Sequence, residues 1–249
     1  MKRLVLAAAM LSALAAPCAQ AETAKAEHEW TVNGAVTTDY RYRGISQSRL
    51  LPALQGGADY THNPSGFYAG VWASTIRWTR DAGGRGALEA DLYAGKRGEL
   101  AAGVSYDIGV LAYVYPSNGM ARVAGFANAN TTEVYGQLGY GPAYVKYSHS
   151  VTNLFGFVDS KGSGYLDLGA NVELSSGLTL NLHAGHQRVA HAPAAKYNDF
   201  KVGVTRDFGQ FTGAVALIGT DAQESAYASP YNGKFLGRAG LVVTVAKVF

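Results

Sequence analysis

From Trp30 onward the chain alternates apolar and polar residues with a period of two, in one stretch after another. In residues 165–174, Leu166, Leu168, Ala170, Val172 and Leu174 share one parity, while Tyr165, Asp167, Gly169, Asn171 and Glu173 share the other. That period gives a β-strand one apolar and one polar face; at helical spacing the same leucines would scatter around the cylinder. Residues 87–94 set Leu88, Ala90 and Leu92 against Glu89, Asp91 and Tyr93. Residues 197–208 set Phe200, Val202 and Val204 against Asp199, Lys201 and Gly203. A strand of ~9–11 residues tilted by ~45° also spans the hydrocarbon core of a bilayer.

The pattern predicts twelve strands, at 30–40, 54–61, 67–77, 87–94, 104–115, 131–140, 143–150, 165–174, 178–187, 197–208, 211–220 and 237–249. Connections after the even strands are short, and those after the odd strands are longer. An even count with short turns at one end and long loops at the other predicts an all-β, closed antiparallel up-and-down transmembrane barrel. Dividing 104–115 at Asp107-Ile108-Gly109 would break this alternation, so it is read as one strand. Residues 67–77 are apolar on both parities, which leaves their faces unassigned.

Soluble sandwiches alternate in the same way with the apolar face turned inward. Three features favour lipid on the outside. Charge and glycine recur on the polar parity in mid-strand, as a wet lumen requires. Trp30, Tyr40, Phe67, Trp78, Tyr140, Phe208 and Phe211 lie near strand ends, where interfacial girdles belong. An even strand count returns both termini to the short-turn side, and closure pairs the last strand with the first. The final Phe249, on one parity with Leu241, Val243 and Val245, fits the terminal signal read by the barrel-assembly machinery; Lys247 departs from it.

The first residues read as an export signal: Lys2 and Arg3, an apolar run over 4–16, and Ala19-Gln20-Ala21 as the cleavage site. Domain organisation follows as a removed signal peptide at 1–21, a flexible leader at 22–29 and the barrel at 30–249. The single cysteine, Cys18, leaves with the signal, and Pro17 and Ala15 suit lipidation poorly. Thiolate sites and disulfides are thereby excluded from the mature chain. With 21 Lys and Arg against 18 Asp and Glu, and two of the bases in the signal, the charge balance argues against a nucleic-acid partner.

Parity places Asp39, Asp59, Glu89, Asp91, Asp107, Glu133, Asp167, Glu173, Asp199 and Asp207 inward. Asn171 shares that face, and the inward bases are Arg41, Lys146 and Lys201, with His183 titratable. This excess of acids either gives the lumen a negative potential that favours cations or forms a structural network that plugs it. Arg43, Arg49, Arg80, Arg85, Arg122 and Arg188 fall in the long loops, where lipopolysaccharide phosphates are the favoured partners and anionic solutes the alternative.

Catalytic chemistry finds little support. No G-x-S-x-G context accompanies His149, His183, His186 or His191, although some outer-membrane barrels are lipid hydrolases. His183-x-x-His186 has neither same-face strand parity nor helical spacing, so no metal pair is expected. Gly83-Gly84-Arg85-Gly86 lacks the Lys-Ser/Thr and the following helix of a phosphate loop. No cofactor is expected.

Tyr40-Arg41-Tyr42-Arg43-Gly44-Ile45-Ser46-Gln47, followed by Pro52-Ala53-Leu54-Gln55-Gly56-Gly57, resembles the opening of the TorF-type porin family. Residues 66–74, 91–95, 132–135, 165–169 and 197–204 resemble its later blocks, so the resemblance runs over essentially the whole mature chain. It implies an outer-membrane β-barrel and supplies no catalytic residues. The resulting expectation is a Gram-negative outer-membrane channel for passive diffusion of small hydrophilic solutes. The alternatives are a non-conducting structural or partner-binding barrel and, behind it, a lipid-modifying enzyme.

Overall fold

The structure, a computed structural model, describes residues 26–249; the expected export signal and the first four residues of the leader lie outside them. In chain order the strands are β1 (His28–Thr37), β2 (Arg41–Tyr42), β3 (Ile45–Ser46), β4 (Ala53–His62), β5 (Phe67–Thr75), β6 (Leu88–Ala101) and β7 (Val104–Val114). They continue as β8 (Thr131–Tyr140), β9 (Ala143–Ser150), β10 (Gly164–Ser175), β11 (Leu178–Arg188), β12 (Tyr197–Asp207), β13 (Thr212–Thr220) and β14 (Gly240–Val248). Two single-turn helices, α1 (Trp78–Asp81) and α2 (Glu224–Tyr227), sit in long loops.

Twelve of these strands form one closed antiparallel barrel, and β2 pairs only with β3. The seam closes between β1 and β14, from Asn33↔Val248 to Thr37↔Thr244, so no edge is left open. β7 runs unbroken through Asp107, Ile108 and Gly109, paired on both sides. β1 starts at His28, so two residues assigned to the leader are already strand. β6 continues to Ala101, where the pattern suggested a turn from 96, and Ala102-Gly103 makes the reversal with Gly103 at φ +79°. Only glycine adopts that backbone cheaply.

The apolar parity faces outward all around the wall: Val32, Leu54, Val71, Leu92, Leu168, Val202, Leu217 and Val243 are exposed rather than packed on one another. The faces of β5 are also settled, with Phe67 and Val71 outward and Trp72 and Ser74 buried. Trp30, Phe67, Tyr140, Phe208 and Phe211 are exposed at the short-turn end, as a girdle requires. Tyr40 and Trp78 are not girdle residues. Tyr40 is only 3% exposed in a cluster with Trp72, Ile76, Tyr113, Tyr115 and Met120, and Trp78 packs against it. Both follow strand ends on the long-loop side, where the connections fold back and bury them.

Candidate functional site: the barrel interior

The interior is organised by the connection that follows β1. Asp39, just beyond the strand, accepts hydrogen bonds from Arg41 Nε (2.5 Å), Ser46 Oγ (2.5 Å) and Ser48 Oγ (3.0 Å). Arg41 donates to the carbonyls of Gly44, Leu236 and Arg238. These contacts hold the β2–β3 hairpin with its tip turned into the barrel. Arg43 and Gly44 form the tip, both at positive φ. Arg43 reaches Glu133 on β8 with two nitrogens, at 3.0 and 2.7 Å, and Gln187 on β11 at 2.8 Å. Its guanidinium lies 4.1 Å from the ring centroid of Tyr165, and the hydroxyls of Tyr42 and Tyr113 are hydrogen-bonded. The hairpin therefore crosses the bore from the β1–β4 side to the facing wall.

A second network surrounds His183. Its Nδ1 is 2.9 Å from Asp167 and its Nε2 2.6 Å from Asp199, while Tyr165 donates to Asp199 at 2.8 Å. Lys201 is the cross-strand neighbour of His183, and Lys146 that of Asp167. Towards the short turns the wall is lined by tyrosines. Tyr68 donates to Asp107 (2.6 Å) and bonds to Tyr135; Tyr93 donates to Asp59. Lys146 sits over the Tyr135 ring and Arg97 over that of Tyr68. Asn181 donates to Asn171 at 2.7 Å. Glu89 accepts a hydrogen bond from Tyr40, yet its Oε2 and Asp91 Oδ1 are buried without a hydrogen-bond partner among the described residues. Such atoms carry a desolvation cost of about 1–3 kcal/mol each.

The inward residues read from parity thus fall into four groups. Asp39, Glu133, Asp167, Asp199 and His183 join networks with the hairpin or with one another, and Lys146 and Lys201 flank the His183 network as cross-strand neighbours. Asp59 and Asp107 are held by tyrosines, and Glu89 and Asp91 stand side by side on β6. Glu173 and Asp207 are exposed at the short-turn rim, where Asp207 accepts a hydrogen bond from the Gly209 amide. Parity does not reveal Arg43, and a turn expected from 96 hides Arg97, which lies on β6; both add positive charge and reduce the expected acid excess. The tyrosines of the lining were legible, since Tyr93 and Tyr135 share parity with Asp91 and Glu133.

Two loop arginines are not free to meet anionic groups outside. Arg43 is in the bore, and Arg49 pairs with Asp81, its Nε 2.6 Å from Oδ2, beneath the Tyr231 ring. The hydrogen bonds that Arg49 donates to Asp81 raise its pKa above the ordinary value. Arg80, Arg85, Arg122 and Arg188 are exposed. His183 faces inward and His186 outward, where its ring bonds to Asn198. Phe249 is exposed, its amide donating to Val32, with Lys247 over its ring.

The family model described as "Bacterial protein of unknown function (Gcw_chp)" matches residues 21–249. The chain belongs to the Gcw_chp family. No curated protein matches it. Among solved structures, this Gcw_chp chain is similar to the KdgM porin, with a TM-score of 0.54 at 6% identity over 88% of this chain and 98% of that one. The KdgM porin in complex with disordered oligogalacturonate matches at 0.54 and 7%, again over 88% and 98%. The NanC porin matches at 0.53 and 10% identity, also over 88% and 98%. At such identities the likeness is one of fold, and the fold of this Gcw_chp chain is the porin-like twelve-stranded barrel.

Proposed function

We propose that the chain is a passive channel for small hydrophilic solutes in the outer membrane, narrowed towards its long-loop end by the β2–β3 hairpin. The observation that carries this reading is the division of the wall: apolar side chains outside, charged and tyrosine side chains inside. The porin-like fold supports it, as does the resemblance of the opening block to the TorF-type porins. A mild preference for cations is inferred from Asp59 and Asp107, neither of which forms a salt bridge among the described residues. Planar-bilayer recording of the purified, refolded chain tests both parts. Discrete conductance steps with a cation-selective reversal potential are expected; no steps, or clear anion selectivity, count against the reading.

A non-conducting barrel that presents its loops to a partner is the second reading, favoured by the Arg43–Glu133 pair and the aromatic packing at the long-loop end. A phenotype lost on loop deletion but kept when the bore is blocked would select it. A hydrolase is the weaker reading, since the partners of the inward His183 among the described residues are two carboxylates and a tyrosine rather than a serine.

A further inference from the structure

We propose that the short-turn rim carries a binding site for one late transition-metal ion of the Zn²⁺ type, with His28, His62 and Glu27 as ligands. His28 on β1 and His62 on β4 are directly opposite each other in the register. Each ring has its Nδ1 engaged, His28 with Tyr60 Oη at 2.8 Å and His62 with Ser65 Oγ at 2.6 Å. Fixing one nitrogen by an outer partner sets the ring orientation and leaves the other nitrogen for a metal. Both Nε2 atoms turn to the same Glu27 oxygen, His28 at 3.7 Å and His62 at 3.5 Å.

These separations are longer than a direct charge-assisted hydrogen bond, about 2.7–2.9 Å. They lie near the spacing of about 3.3 Å between donors that each sit about 2.0–2.1 Å from a tetrahedral metal. All three donor atoms fall within 4.8 Å of one another. The segment carrying Glu27 is held in place, because the Asn63 amide donates to the Glu27 carbonyl (2.9 Å) and Asn63 Nδ2 to the Ala26 carbonyl (2.7 Å). Two imidazoles and one carboxylate suit zinc, copper or nickel rather than calcium or magnesium. Three protein ligands leave a fourth position for water or a second ligand.

The site lies on the outer face one step beyond the Trp30–Tyr60 aromatic pair, whose rings are 4.7 Å apart. That places it at the water-exposed edge of the girdle, away from the bore. A bound ion there would tie the segment before β1 to the β4–β5 turn.

The test is titration of the refolded chain in detergent with Zn²⁺ alone, followed by calorimetry, with Co²⁺ absorption reporting tetrahedral coordination. One ion per chain is expected. His28→Gln and His62→Gln should each abolish that binding while the barrel keeps its heat-modifiable migration. Tyr60→Phe and Ser65→Ala should weaken it by about 10–100-fold. Failure of the wild-type chain to take up the metal would overturn the site, as would unchanged affinity and stoichiometry in both histidine variants. Neither result bears on conductance.

Discussion

Arg43 and Glu133, 90 residues apart in the chain, form a two-pronged ion pair inside the barrel, with nitrogen–oxygen distances of 3.0 and 2.7 Å. Glu133 is 1% exposed, so each charge depends on the other for its stability. Arg43→Ala leaves a buried carboxylate without its cation and should lower folding stability by about 3–5 kcal/mol. The same substitution releases the hairpin tip and should raise single-channel conductance. Glu133→Gln should weaken the same pair, and the double variant should lose less than the sum of the singles. Urea titration in lipid vesicles and bilayer recording measure the two effects.

Gly44, beside Arg43, has φ +77°, and a Cβ there would meet Asp199 and the Thr220 methyl group. Gly44→Ala therefore combines a left-handed backbone cost of about 1–2 kcal/mol with displacement of the hairpin from the wall. Gly141 is also at positive φ but has nothing within 4 Å of its virtual Cβ. Gly141→Ala should show the backbone cost alone and leave conductance unchanged.

Asp81 ties three long-loop segments together. It accepts from Arg49 in the first loop and from Ser229 in the last, and Arg49 in turn lies against Tyr231. Asp81→Ala should expose 221–239 to faster limited proteolysis while the barrel keeps its resistance to heat. Equal cleavage rates would show that this end is held by apolar packing instead.

Asp59 and Asp107 receive tyrosine hydrogen bonds and form no salt bridge among the described residues. Neutralising both, as Asp59→Asn with Asp107→Asn, should move the reversal potential towards anions. Asp167→Asn should move it less, because His183 and Lys146 already flank that carboxylate.

The architecture was legible because its rule is local. A pleated strand sends alternate side chains to opposite faces, so parity in the sequence already separated Leu166 and Leu168 from Asp167, and turn chemistry set the alternation of short and long connections. The closing of β1 on β14 followed from the need to leave no open edge in lipid. Loops have no such period. Nothing near Arg43 in sequence says that its connection turns into the bore, because its partners Glu133 and Gln187 are supplied by strands far along the chain. For the same reason Tyr40 and Trp78 read as girdle residues, although the folded loops bury them. The meeting of Glu27, His28 and His62 likewise depends on cross-strand register, which only the closed sheet decides.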